Sequence, residues 1–135
     1  MASSGDDSVV RVYQVMDALS GTDDEVHCLH GHGHIANVFG LAFDRAGKQL
    51  LSCGRDGSAR CYDLERMSAT GGLESEGYRG HFGAVHSAEW IDVVSAHARD
   101  GRQFVTASDD ATMCLWDTRA RRRWDGEAWP VERLG

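Results

Sequence analysis

The sequence predicts an all-β fold, and three observations carry that expectation: a segment that repeats itself, short runs of β-favouring residues inside each copy, and turn signals between the runs. The stretch 'GHIANVFGLAFDRAGKQLLSCGRDGSARCYDL' (33 to 64) aligns with 'GHFGAVHSAEW...DGRQFVTASDDATMCLWDT' (80 to 118). In each copy a Gly-His is followed, four residues after the His, by Val38 or Val85. Ser52 or Thr106 then precedes Asp56 or Asp110 by four, and six residues beyond each Asp stands an aromatic, Tyr62 or Trp116, itself followed by Asp.

'SSGDDSVVRVYQV' (3 to 15) fits the latter half of a further copy, because Ser3 lies four before Asp7 and Tyr13 six after it. 'EVHCL' (25 to 29) reads as one more strand ahead of the first complete copy. That copy supplies 'VFGLAF', 'KQLLSC' and 'SARCYD', rich in Val, Leu, Phe, Tyr and Cys and split by Asp-Arg-Ala-Gly and Arg-Asp-Gly turns. 'EGYR' (76 to 79) gives it a fourth strand. The second copy follows the same plan and ends in 'WPVERL' (129 to 134), where Pro130 suits an outer strand because proline cannot donate to a ladder. 'SATGGLES' (68 to 75) and 'IDVVSAHARD' (91 to 100) read as surface loops inserted between strands.

The bulk properties exclude several classes of function. At 135 residues with 41% hydrophobic and 26% charged residues, one folded domain is expected. A formal charge of −7 argues against a nucleic-acid partner, whose phosphates are neutralised by Lys and Arg. Cys28, Cys53, Cys61 and Cys114 form no Cys-x-x-Cys pair and no dense disulfide framework, which fits a reducing compartment. No signal-peptide core and no long apolar run stands out, so no membrane is expected and the default location is cytoplasm or nucleus.

The two copies resemble WD40 repeats, the four-stranded blades of a β-propeller, over about residues 33 to 134. The resemblance implies a partial blade over 1–30, carrying its last strands, a complete blade over 31–79, and a complete blade with an inserted hairpin loop over 80–135. Gly33 to Gly80 spans 47 residues and Gly80 to Gly135 spans 55, the excess falling in the two inserted loops. About two and a half blades make an incomplete propeller, since closed rings have about 4 to 8. The missing blades would come from a longer chain, a partner or self-assembly.

In WD40 blades a His, a Ser or Thr, an Asp and a Trp form a hydrogen-bonded set, which the resemblance places on His81, Thr106, Asp110 and Trp116. The residue types suit it: indole donates, carboxylate accepts, hydroxyl and imidazole can do both. In the first complete copy His34, Ser52 and Asp56 are present, but Tyr62 stands where Trp would, and a phenol places its donor differently, which puts that set in doubt. Ala111 stands where Gly is expected after Asp110, so that turn is expected to make no strong demand for positive φ.

The same residue types also serve other chemistry. Ser, His and Asp are also triad components, yet no Gly-x-Ser-x-Gly elbow is present, and the structural role accounts for the spacing twice; no enzyme and no cofactor are expected. Gly31-x-Gly33-x-x-Ala36 matches part of a dinucleotide fingerprint but precedes a strand. 'HCLHGHGH' (27 to 34) gathers His27, Cys28, His30, His32 and His34, ligand types for zinc or nickel whose spacing fits no named zinc motif. 'RARRR' (119 to 123) beside Trp124 reads as a solvated run in an acidic chain.

Residues 104 to 119, 'FVTASDDATMCLWDTR', also resemble the box of WD40 substrate receptors of cullin-4 ubiquitin ligases, ending in Trp-Asp-x-Arg. That resemblance implies Asp117 and Arg119 as contacts to the ligase adaptor. Trp-Asp-x-Arg also occurs in blades with no ligase connection, and the first complete copy carries Glu65 where Arg would stand. The sequence therefore predicts a non-catalytic protein-interaction scaffold, with a cullin-4 ligase receptor as the alternative.

Overall fold

Strands form where β-branched, aromatic and Cys residues cluster between turn-forming residues. The computed structural model describes residues 2–13, 26–29, 33–66, 75–91, 102–119 and 130–135. In these lie β1 (Ala2–Ser4), β2 (Val10–Tyr13), β3 (Val26–Leu29), β4 (Val38–Phe43), β5 (Gln49–Gly54), β6 (Ser58–Asp63), β7 (Ser75–Arg79), β8 (Val85–Trp90), β9 (Gln103–Ser108), β10 (Met113–Asp117) and β11 (Glu132–Leu134). They make three antiparallel meanders: an N-terminal sheet β1-β2-β3, a middle sheet β4-β5-β6-β7 and a C-terminal sheet β8-β9-β10-β11. β11 is an edge strand, and Pro130 precedes it, where no ladder hydrogen bond is needed.

The middle sheet is buried on both faces. Leu50 and Tyr62, paired across β5 and β6, pack with Val10 and Val12 of the N-terminal sheet and with Val38. On the other face Leu51, Cys53, Ala59 and Cys61 meet Val85, Ala88, Phe104, Cys114 and Trp116 of the C-terminal sheet. This explains why β5 reads as a nearly continuous apolar run: successive side chains point to opposite faces and both faces are dry. Tyr78 from β7 sets its ring edge-on to Phe104 and Trp116, with centroids 4.9 and 5.5 Å away. Trp90 of β8 adds a polar tie, its Nε1 donating to the Ala42 carbonyl of β4 at 3.1 Å.

β4 and β8 each break register at the same place. The pairing with the next strand slips between Val38 and Gly40 in β4, and between Val85 and Ser87 in β8. Phe39 and His86 are thus the extra residues of two equivalent bulges, and their rings stack at 5.1 Å and 7°.

The turn after Asp110 does demand positive φ, contrary to the expectation from its Ala111. Ala111 has φ 62°, in the left-handed region, as do Gly57 (76°) and Ser8 (60°) at the same turn position. Carboxylate acceptance drives this: Asp110 Oδ1 takes the Thr112 N–H at 2.9 Å, as Asp56 Oδ1 takes that of Ser58 at 3.0 Å, and this tight loop turns the intervening residue left-handed. An L-residue there costs about 1–2 kcal/mol, part of which glycine returns through its freer unfolded chain. Ala111→Gly is therefore expected to stabilise the fold by up to about 1 kcal/mol, read as a raised thermal midpoint; a lowered midpoint would contradict this account.

Candidate functional site

Two buried polar chains join the strands to the turns. In the C-terminal sheet, Trp116 Nε1 donates to Thr106 Oγ1 at 2.8 Å across β10 and β9. Thr106 Oγ1 lies 2.7 Å from His81 Nε2, and His81 Nδ1 lies 3.0 Å from Asp110 Oδ2. Indole can only donate and a carboxylate can only accept, so Thr106 Oγ1 accepts from Trp116 and His81 presents an Nδ1 proton to Asp110. Trp116 and Thr106 are fully buried, where an unpaired donor costs more than a made bond returns.

The middle sheet repeats the arrangement with a weaker end. His34 Nε2 lies 2.7 Å from Ser52 Oγ, and His34 Nδ1 lies 3.0 Å from Asp56 Oδ2. Tyr62 does reach this set, but its hydroxyl is 3.4 Å from Ser52 Oγ, longer than the indole contact in the other sheet. The phenolic oxygen sits on the ring's long axis, so it approaches the hydroxyl from a different direction than an indole N–H.

Sequence reasoning passed over a second hydroxyl in each set. Ser58 Oγ donates to Asp56 at 2.7 Å and Thr112 Oγ1 donates to Asp110 at 2.6 Å. Both stand two residues after the Asp, so their shared offset was the available signal. Each Asp also accepts the backbone N–H of the residue after the His, Ile35 at 3.2 Å and Phe82 at 3.0 Å. Burial pushes the Asp56 carboxyl up, but hydrogen bonds from His34 and Ser58 outweigh it and hold the group well below the usual carboxylate range. For Asp110 burial likewise opposes ionisation, and the bonds from Thr112, Phe82 and His81 win.

Ser52, His34 and Asp56 share the connectivity of a hydrolytic triad. Ser52 has no exposed surface, however, so a reacting carbonyl cannot reach its hydroxyl. Burial also pushes the Cys53 thiol up to about 11, which leaves it without nucleophilic thiolate at neutral pH. Of the 'HCLHGHGH' cluster, His30 and His32 and the side chains of His27 and Cys28 lie outside the described residues, as do 120 to 124 of the basic run. Among the described residues no group of three or more His, Cys, Asp or Glu could hold a metal, and no helix is long and apolar enough to cross a membrane.

Asp117 and Arg119 lie at the opposite end of β10 from Asp110. Arg119 grips Asp117 with two parallel bonds, Nε to Oδ1 at 3.0 Å and Nη2 to Oδ2 at 2.8 Å. The Arg119 guanidinium, helped by the Arg119 N–H and by Gln103 and opposed by burial, holds the Asp117 carboxyl down to about 2.

The family model for the WD domain, G-beta repeat, matches residues 19–63 and 74–117. The chain belongs to the WD40 repeat family. Its meanders are blades, and the C-terminal one is the more regular, since its indole completes the buried chain. The chain is similar to the serine-threonine kinase receptor-associated proteins of Mus musculus, at 34% identity over 104 residues, and of Gallus gallus, at 35% over 104 residues. The mouse and chicken matches each cover 77% of this chain and 25% of the relative, so the chain spans about a quarter of the length of the curated relatives it matches.

Trp116→Phe removes the donor to Thr106 while keeping most of the ring; the expected loss is about 1–3 kcal/mol, measured as a lowered unfolding midpoint. An unchanged midpoint would mean that the indole N–H contributes nothing there. The depressed carboxyls of Asp56 and Asp110 make stability depend on pH in one direction. Their contribution is fully present above the unfolded carboxyl value of about 4 and is lost as pH falls through the lower folded values. The midpoint should thus drop on acidification below about pH 4, and Asp110→Asn should flatten that slope.

Proposed function

We propose that the chain is a non-catalytic protein-interaction scaffold within a larger WD40 propeller or assembly. The observation that carries this reading is a pair of apolar side chains held out to solvent at the same repeat position: Ile35 is 81% exposed and Phe82 is 91% exposed. Each is fixed by its own backbone N–H to the buried Asp of its blade, so little ordering entropy remains to be lost on binding. Arg133 lies over the Phe82 ring, 5.5 Å from its centroid, adding a cation at the edge of the same surface. The relatives' name describes association with a receptor kinase; what we carry over is only that one protein docks on another.

The outer face of the C-terminal blade supports assembly with further blades. Val105, Ala107, Met113 and Leu115 stand where Leu51, Cys53, Ala59 and Cys61 do in the middle blade, paired across the same two strands. The middle blade's set is buried by its neighbour, whereas Met113 of this face is 46% exposed.

A second reading is favoured by the Asp117–Arg119 pair. A guanidinium already clamped by Asp117 and still 41% exposed offers its remaining donors in a fixed orientation, as a docking residue for a cullin-4 ligase adaptor would. One co-purification from cells, using the full-length protein, tests both readings. Ile35→Ser with Phe82→Ser is expected to strip bound partners while leaving the unfolding midpoint within about 0.5 kcal/mol of wild type; an unchanged partner set removes this surface from the function. Arg119→Ala should abolish recovery of a cullin-4 adaptor if the second reading holds, and an adaptor never recovered, or recovered equally, ends that reading.

A further inference from the structure

Set side by side, the middle blade carries an ion pair that the C-terminal blade has lost. In the middle blade Lys48 Nζ, ahead of β5, meets Glu65 Oε1, beyond β6, at 3.1 Å. Gly47-Lys48-Gln49 aligns with Gly101-Arg102-Gln103, and Asp63-Leu64-Glu65 aligns with Asp117-Thr118-Arg119. The C-terminal blade has therefore kept the base as Arg102 and exchanged its acid for a second base. Arg119 is taken by Asp117, and the Arg102 guanidinium has no hydrogen bond or ion pair among the described residues.

Arg102 is exposed and stands at a concave part of the surface. It lines a cavity of about 280 Å³ at the end of the two blades that carries the β4–β5 turn, together with Asp44, Arg45, Lys48, Asp63 and Glu65. Each carboxylate there already accepts a bond or an ion pair through one of its oxygens. Asp44 Oδ1 accepts the N–H groups of Lys48 and Gln49 at 2.7 and 3.0 Å, Asp63 Oδ1 accepts that of Glu65 at 3.0 Å, and Glu65 holds Lys48. The guanidinium of Arg45, like that of Arg102, has no partner among the described residues. Two guanidinium side chains with no partner among the described residues thus line one cavity.

We propose that this cavity receives an acidic side chain of a protein partner, with Arg102 as its main contact and Arg45 beside it. A carboxylate there does for Arg102 what Glu65 does for Lys48, with the bidentate geometry that a guanidinium allows. The acids at the rim and the net charge of −7 disfavour a polyanion such as nucleic acid, and suit an isolated Glu or Asp on a peptide. This rests on the scaffold reading and assigns it a partner chemistry.

The test is fluorescence anisotropy at low salt on the full-length protein. The probe is a short labelled peptide of Ala and Gly with a single Glu at its centre, and its counterpart carries Gln for that Glu. The Glu peptide is expected to bind more tightly than the Gln peptide, and Arg102→Glu to weaken it by about tenfold or more with an unchanged thermal midpoint, while Arg55→Ala, at the β5–β6 turn outside the cavity, changes it less than about twofold. Equal binding of the Gln peptide, or undiminished binding by the Arg102→Glu variant, overturns the proposal. So does displacement of the peptide by an equal concentration of inorganic phosphate, which would mark a site for any free anion. Co-purified partners that persist in Arg102→Glu would sink the cavity and leave the scaffold standing; no partners with any variant would sink the scaffold, while the peptide titration still decides the cavity.

Discussion

The rest of the structure depends on two buried carboxylates. Asp56 and Asp110 each collect three donors from two pieces of chain: an imidazole ahead of the first strand and the backbone N–H that follows it, and a hydroxyl two residues on in the turn itself. A carboxylate mostly shielded from solvent keeps its charge only with these donors in place, so the Gly-His segment and the turn must arrive together. The turn, the Gly-His segment and the strand register are therefore fixed jointly. Glycine at 80 belongs to the same constraint, since a Cβ there would come within 2.9 Å of the Trp116 ring.

Around that polar frame the apolar packing is divided by strand parity. β5 sends Leu50 to one neighbouring blade and Leu51 to the other, with Ser52 between two buried residues serving the polar chain. A one-residue slip would move each leucine into the wrong interface and turn Ser52 away from His34. The apolar and polar parts thus enforce one register from two directions, and the exposed Ile35 and Phe82 inherit their fixed placement from it.

Much of the fold was legible in the sequence, and for identifiable reasons. β4 and β6 coincide with 'VFGLAF' and 'SARCYD' because β-favouring side chains there are flanked by turn residues on both sides. β11 is shorter than 'WPVERL', since Pro130 cannot join a ladder. Spacing named the His, the hydroxyl, the Asp and the aromatic of each polar chain, but the second hydroxyl, Ser58 or Thr112, looked like an ordinary turn residue. Ala111 misled because its backbone angle is set by where the Asp110 carboxylate finds its donors, a tertiary demand that a single letter does not carry. The clasp between Asp117 and Arg119 was hidden for a related reason: two residues proposed to face a partner first satisfy one another.

The paired bulges at Phe39 and His86 have a consequence for how separate molecules meet. β4 and β8 are edge strands, and an edge strand offers a row of unused N–H and C=O groups on which a strand from another molecule can zip. At each edge the bulge interrupts that row near its beginning, and the two displaced rings close over one another. An intruding strand would find its hydrogen-bond spacing broken by one residue and its path obstructed by an aromatic stack. The inner edges of these blades are in this way protected against intermolecular β-sheet growth, the route by which all-β chains aggregate.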